Sequence, residues 1–360
     1  MFNTLTNIKE GSIVIMPMNS LVSKTADICD IKDIEEAKGI IGKYARKTPL
    51  IQSMFLSRNV AHGDVFLKLE NMQLTGSFKF RGANNKINHL TDEEKKRGVI
   101  TASAGNHAQG VALTGKLLGI DTTVVMPDEA PQLKRDATRG YGAEVDIHGA
   151  TFDDTHQWMN ERAEKEGKTI VEPFNDKYVI AGQGTIGLEI LDEIWNVDTV
   201  IVPVGGGGII SGIATALKSF NPSIHVVGVQ SENVHGMEAS VEAGKITTHH
   251  DDFTLADGTD VATPGDLTFP IVQNLVDEIV LVSEDEIAMA MKDLMQRTKI
   301  CVEGAGALPT AAIESGKIDK KWLENKKTVA LVSGGNVDLQ RVSKIIDHFL
   351  APVGTKKGIG

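Results

Sequence analysis

The segment Thr75–Ala83 reads TGSFKFRGA and sets Lys79 between Phe78 and Phe80, just after Gly76 and Ser77. A lysine on an amphipathic helix ordinarily lays its stem along the protein and keeps its ammonium in water. Held in an apolar pocket at a helix start, the charged form loses hydration and the amine pKa falls. A neutral amine can attack a carbonyl and form a Schiff base. Lys79 therefore reads either as a snorkelling cation or as the residue that carries a carbonyl cofactor, pyridoxal phosphate.

Three further segments put small residues at the ends of apolar runs. TASAGNHAQG, residues 101–110, passes from a strand through Ser103, Ala104, Gly105 and Asn106 into a helix. The free N–H groups and positive dipole end of such a helix suit a carboxylate or phosphate; the alternative is an ordinary Asn cap. PVGGGGIISG, residues 203–212, feeds four consecutive glycines, Gly205, Gly206, Gly207 and Gly208, into another helix. Four glycines are costly in backbone entropy, so close approach to a guest is expected. A phosphate is the first candidate. A dinucleotide is the second, with Gly212 as a displaced third glycine and Glu232 after the next strand. ALVSGGN, residues 330–336, ends an apolar strand in Ser333, two glycines and Asn336. It is either a tight turn or a site where Ser333 meets a ring nitrogen as a neutral partner.

Two motif matches fail on context. Gly182-x-Gly184-x-x-Gly187 fits a dinucleotide fingerprint by letter but follows NDKYVIA, a poor strand, and reads as close helix packing. Gly110 to Lys116 resembles a phosphate-binding loop, yet Leu117 stands where a hydroxyl is needed and the segment lies inside a helical pattern.

The elements that must position these residues alternate. Strand-like runs fall at 65–69, 98–102, 121–126, 144–148, 168–172, 198–204, 224–230, 278–282 and 327–333. Most are Val- and Ile-rich and apolar on both faces, as parallel strands covered by helices are. Helical patterns occupy 107–118, 131–140, 152–166, 183–194, 210–219, 284–298 and 337–349. Thr91-x-x-Glu94 and Ser283-x-x-Glu286 are capping-box pairs. The order argues for an α/β fold with mainly parallel sheets, in which ligands sit beyond the carboxyl ends of strands.

The 360 residues, 41% hydrophobic and 24% charged, allow one large core or two connected lobes. A net charge of −11 argues against nonspecific nucleic-acid or membrane binding. Cys29 and Cys301, the two cysteines, form neither a metal spacing nor a disulfide framework and suit a reducing cytosol. Residues 1–30 read as a loosely ordered extension without a signal peptide or membrane span, and 351–360 as a frayed tail.

Together the four segments resemble the β-family (fold type II) of pyridoxal-phosphate enzymes, and most of all threonine dehydratases (threonine ammonia-lyases) of the catabolic type, over residues 31–350. The resemblance implies that Lys79 is the Schiff-base and catalytic lysine, with Phe78 packed near the cofactor ring. It implies a substrate-carboxylate turn of Ser103, Ala104, Gly105, Asn106 and His107, with Asn106 also on the cofactor's 3′-oxygen. Gly205 to Gly208 and Ile209 would hold the phosphate, and Ser333 the pyridine nitrogen. Asp257, Gly258 and Glu303 would line the pocket. It also implies a two-lobed architecture like that of the tryptophan synthase β chain. Residues 31–96 and 177–350 would bind the cofactor, and 97–176 would form a smaller lobe that closes on substrate. No C-terminal regulatory domain is expected. The activity implied is β-elimination from L-threonine, and from L-serine, to 2-oxobutyrate or pyruvate plus ammonia. Serine racemase is the alternative, but racemases of this fold carry a serine where this chain has Ala104. Their metal-binding carboxylate matches Gln230 here, so no metal is expected. A homodimer or homotetramer, a nucleoside monophosphate effector and a cytoplasmic location complete the expectation.

Overall fold

A computed structural model describes residues 24–350. Two sheets organise the chain. The first has six strands in the order β1-β2-β10-β7-β8-β9, with β1 Leu50–Gln52, β2 Asp64–Leu69, β7 Thr199–Pro203, β8 His225–Ser231, β9 Glu278–Val282 and β10 Lys327–Val332. All neighbours in it are parallel except β1, which pairs antiparallel with β2. The second has four parallel strands in the order β5-β4-β3-β6: β3 Val99–Ala102, β4 Thr122–Met126, β5 Glu144–Ile147 and β6 Thr169–Ile170. β3, β4, β7 and β8 are buried along their whole length. That explains their near-continuous runs of Val, Ile and Thr: helices cover both faces.

Each expected strand is present. The short β1 escaped the sequence pattern because three residues, two half-buried and Gln52 exposed, carry no period. The expected helix 183–194 in fact spans Lys177–Glu193. The Asp176 side chain accepts from the N–H groups of Tyr178 and Val179, and Val179 and Ile180 are buried. Capping and packing there overrode β-branched propensity. The expected helix 284–298 is α-helical over Glu284–Asp293 and ends in a π turn, Leu294–Thr298. Both capping boxes form. Helices Ile31–Ile41, Gly236–Ala243, Thr268–Leu275 and Gly304–Glu314 were not read from sequence; the last opens Gly-rich and contains Pro309.

Two apolar clusters pack on the large sheet, one gathering Val200, Val202, Ile210 and Leu331, the other Val65, Ile201, Val227 and Val332. Smaller clusters flank the second sheet. Of the supposed extension, residues 1–23 lie outside the described residues, as does 351–360. Its end is ordered: Cys29 is buried in the first cluster and Asp30 caps helix Ile31–Ile41.

Glycines set the helix spacing near the site. A Cβ on Gly182 would stand 2.7 Å from Arg81 O, and one on Gly110 3.1 Å from the Lys79 carbonyl carbon. The two rejected fingerprints are thus contact points between helices. Gly212 serves the same purpose, facing Ile180 O and Gly184, and Glu232 is an exposed partner of Lys317. The dinucleotide alternative loses both of its markers.

Candidate active site

Strand register brings three of the four segments together. Val332 stands opposite Leu69, and β10 also pairs with β7. Ser333 and the glycine run therefore leave the carboxyl ends of adjacent parallel strands. The Phe78 N–H donates to Ser333 O at 3.1 Å, and Ser77 forms a bridge with Gly334. These contacts start helix Lys79–Asn88 at the same sheet edge.

Lys79 is half-buried, part of it open to solvent and the rest enclosed by protein. Its Nζ donates to Pro173 O at 2.9 Å and lies 5.3 Å from the Phe78 ring centroid. Burial lowers its pKa from 10.5 to about 8, with Glu303 opposing. The amine is thus available at mildly alkaline pH, as a Schiff-base lysine requires. The snorkelling alternative does not fit this setting.

Four helix N-termini at this site lack side-chain caps, and two of them follow glycine turns. Helix Gly208–Phe220 is preceded by Gly207 at φ +93°, a backbone that favours glycine. The loop is fixed through its carbonyl: Gly206 O accepts from Thr268 Oγ1 at 2.6 Å. A Cβ on Gly206 would collide with the Phe174 ring. Ile209 is buried in the core, so its N–H is what it can offer a ligand. Helix Asn106–Leu118 follows Gly105, likewise without a side-chain cap. Nothing lies within 4 Å of a Cβ built on Gly105, and Ser103 Oγ holds the turn by accepting from the Gly105 N–H at 3.2 Å. Asn106 is inside the helix rather than its cap, which removes the plain-cap reading. First-turn N–H groups and the helix dipole suit both glycine-preceded ends to an anion.

The second sheet's turn is joined to the first sheet by side chains. Asn106 Nδ2 donates to Glu303 Oε1 at 2.7 Å, and Asn106 Oδ1 accepts from Asn336 Nδ2 at 2.8 Å. Glu303 is buried; desolvation first, then Asp257, raises its pKa from 4.5 to about 7. Gly258 adjoins it: a Cβ there would lie 3.4 Å from Glu303 Oε1. Asp257 is an exposed group at the rim, 3.5 Å from both Lys134 Nζ and an Arg341 nitrogen. The His107 ring is buried and bonded through Nε2 to Val171 O at 2.8 Å. Burial and nearby Lys79 lower its pKa to about 3, so it is a neutral ring and its backbone N–H faces the helix end. Ala104 packs against the cluster of Ala108, Ala112 and Val124. Gln230 is buried, its Oε1 accepting from Glu238 N at 2.9 Å.

Sequence reasoning missed Pro173, Phe174, Thr268 and the role of Asn336. The Pro-Phe pair directly after a strand was the only cue to the first two.

The donor set fits pyridoxal phosphate. It joins a depressed lysine, two glycine-preceded helix ends, an amide and the buried Ser333. Ser77 Oγ, two residues before Lys79, is buried without a protein partner among the described residues.

Comparisons with known proteins agree. The sequence pattern of the family "Pyridoxal-phosphate dependent enzyme" matches residues 41–334. The catabolic L-threonine dehydratase TdcB of Staphylococcus aureus (strain USA300) is 65% identical over 344 residues, 96% of this chain and 99% of the relative. Among solved structures, maize serine racemase superposes with a TM-score of 0.84 at 38% identity, over 90% of this chain and all of the other. The processed form of threonine deaminase isoform 2 from Solanum lycopersicum gives 0.84 at 36% identity, over 96% of this chain and 99% of the other. The expected α/β fold, with parallel sheets flanked by helices, is that of these relatives. The chain belongs to the pyridoxal-phosphate dependent enzyme family, in its threonine dehydratase branch.

Proposed function

We propose that the chain is an L-threonine ammonia-lyase that removes the β-hydroxyl and then ammonia from L-threonine, and from L-serine, giving 2-oxobutyrate or pyruvate. The observation that carries this reading is Lys79: a lysine with its pKa lowered to about 8, whose Nζ is bonded to Pro173 O beside the Phe174 that packs on the Gly206 and Gly208 turn. Close identity to a catabolic threonine dehydratase supports the choice of reaction.

Lys79 would hold the cofactor. The N–H groups of Gly205 to Ile209 would take its phosphate, Asn106 its ring oxygen and Ser333 its ring nitrogen. When bound, the cofactor supplies an electron-withdrawing ring that acidifies the substrate Cα–H. The turn Ser103–His107 binds substrate carboxylate through its N–H groups and so aims the Cα–H at Lys79. With its pKa near the working pH, Lys79 Nζ takes that proton as a general base. Ser333 is neutral and does not hold a proton on the ring nitrogen as a carboxylate would, which suits elimination. Ala104 has no hydroxyl with which to deliver a proton to the opposite face, which weighs against racemisation. Movement of residues 97–176 toward 31–96 and 177–350 would exclude water from the cleft.

The same reading gives a cytoplasmic homodimer or homotetramer responsive to a nucleoside monophosphate. Among the described residues no helix is long and apolar enough to cross a membrane. The test is 2-oxoacid release from purified protein with added pyridoxal phosphate, L-threonine and L-serine run separately. Faster 2-oxobutyrate than pyruvate supports the proposal. Pyruvate alone makes the protein a serine dehydratase, and D-serine without either oxoacid makes it a racemase.

A further inference from the structure

We propose that Asn336 is a positioning residue that decides which atom of the Asn106 amide faces the cleft. The inference rests on the reading that Asn106 meets the cofactor.

An asparagine amide has one accepting oxygen and two donating hydrogens, and its two orientations differ only in which partners they satisfy. Asn336 Nδ2 donates to Thr75 O at 2.8 Å and to Asn106 Oδ1 at 2.8 Å. Both of its hydrogens are thus used. Thr75 O is a backbone carbonyl and only accepts, so it fixes the Asn336 amide. Turned over, Asn336 would set oxygen against oxygen. Asn336 in turn fixes Asn106. Were the Asn106 amide reversed, its nitrogen would face the Asn336 nitrogen and its oxygen the Glu303 carboxylate. The Asn336 contact would be mismatched at any pH, and the Glu303 contact too wherever its carboxyl is ionised. In the observed orientation Asn106 Nδ2 gives one hydrogen to Glu303 Oε1, and its second remains for the cleft.

The surroundings hold Asn336 tightly. Its backbone N–H donates to Glu303 Oε2 at 3.2 Å. A Cβ on Gly76, which has φ +73°, would come 2.6 Å from Asn336 Oδ1. A Cβ on Gly334 would collide with Glu303 Oε1. Gly335 N–H donates to Gly76 O at 2.9 Å, pinning the two turns together. The glycines of TGS and SGGN thus make room for a chain of contacts from Thr75 O through Asn336 and Asn106 to Glu303.

The test is a double-mutant cycle on cofactor affinity, read by absorbance titration of apoprotein with pyridoxal phosphate, without turnover. Asn336→Ala is expected to weaken binding by about five- to tenfold, the worth of one hydrogen bond. In the Asn106→Ala background the same change is expected to cost less than about twofold, because its route of action is gone. Equal losses in both backgrounds overturn the proposal and leave Asn336 a structural residue. Unchanged affinity in Asn106→Ala overturns the cofactor role of Asn106, and with it the premise. Should Asn336→Ala fail to fold, Asn336→Ser serves, since one hydroxyl donor cannot satisfy both acceptors; the same outcomes decide.

Discussion

Replacing Lys79 by methionine should stabilise the apoprotein at neutral pH while ending catalysis. The lysine's pKa falls from 10.5 in the unfolded chain to about 8 in the fold. Keeping the amine charged at pH 7 therefore costs the native state about 3 kcal/mol. Screening at the open side of the cleft reduces this to about 2 kcal/mol. Methionine fills similar volume without charge but gives up the 2.9 Å bond to Pro173 O, a loss of about 1 kcal/mol. A net gain of about 1 kcal/mol remains. The sign with pH follows from linkage. Between about 8 and 10.5 the unfolded chain holds a proton that the folded one has shed, so wild-type stability rises with pH through that window. The advantage of Lys79→Met should accordingly be full at pH 7, shrink above pH 8, and vanish or reverse by pH 10.5. Reversible urea unfolding of both apoproteins at pH 7, 9 and 10.5 measures it. A variant less stable than wild type at pH 7, or a gap that ignores pH, refutes the argument.

Other expectations are as direct. Glu303→Gln should gain stability over wild type as pH rises from 4.5 to about 7, the window in which the folded carboxyl keeps a proton that the unfolded chain has shed; melting temperatures at pH 5 and 8 compare them. Gly206→Ala should weaken cofactor binding by at least about tenfold, because the new methyl must displace the Phe174 ring or the loop; equilibrium titration with pyridoxal phosphate reads the loss. Arg81→Met should cost about 3–5 kcal/mol, since it strands buried Glu70 and part-buried Glu189; denaturant unfolding measures it. Ala104→Ser should bring measurable D-serine from L-serine, and chiral chromatography showing none would mean that a hydroxyl at this position is insufficient.

How legible the site was depended on whether chemistry or packing chose the residue. Lys79, the glycine run and Ser333 each interrupt an apolar strand–helix pattern with a residue that packing alone disfavours, so they stood out. The positions of β3, β4, β7 and β8 were equally plain, because burial on both faces demands long apolar runs. Phe174 was not legible: a phenylalanine in a loop looks like core until the Gly206 approach is seen. Nor was the fixed amide of Asn106, since sequence gives the residue but not the Asn336 and Glu303 contacts that orient it across 230 and 197 residues. Helix Gly304–Glu314 stayed hidden because its Gly-rich start and Pro309 speak locally for a turn. Burial of nearly every residue in that helix overrides them.

The charges around Lys79 divide into two kinds. Two residues on, Arg81 is matched almost completely. It donates to Glu70 Oε2 at 2.8 Å and Glu189 Oε1 at 2.7 Å, while Lys68 donates to Glu189 Oε2 at 2.6 Å. Two cations and two carboxylates cancel, and the start of the Lys79 helix is clamped to helix Lys177–Glu193. Facing the cleft, the amine of Lys79 and the carboxyl of Glu303 are each displaced toward their neutral forms by burial, at a cost to the fold. A stability-driven sequence would pair these as fully as the groups beneath them. Here the amine of Lys79 is left near its titration point above a charge-balanced base, the state that proton transfer at Nζ would need. Lys79→Met and Arg81→Met should therefore shift stability in opposite directions although the residues lie two positions apart, and only the first shift should depend on pH between 8 and 10.5.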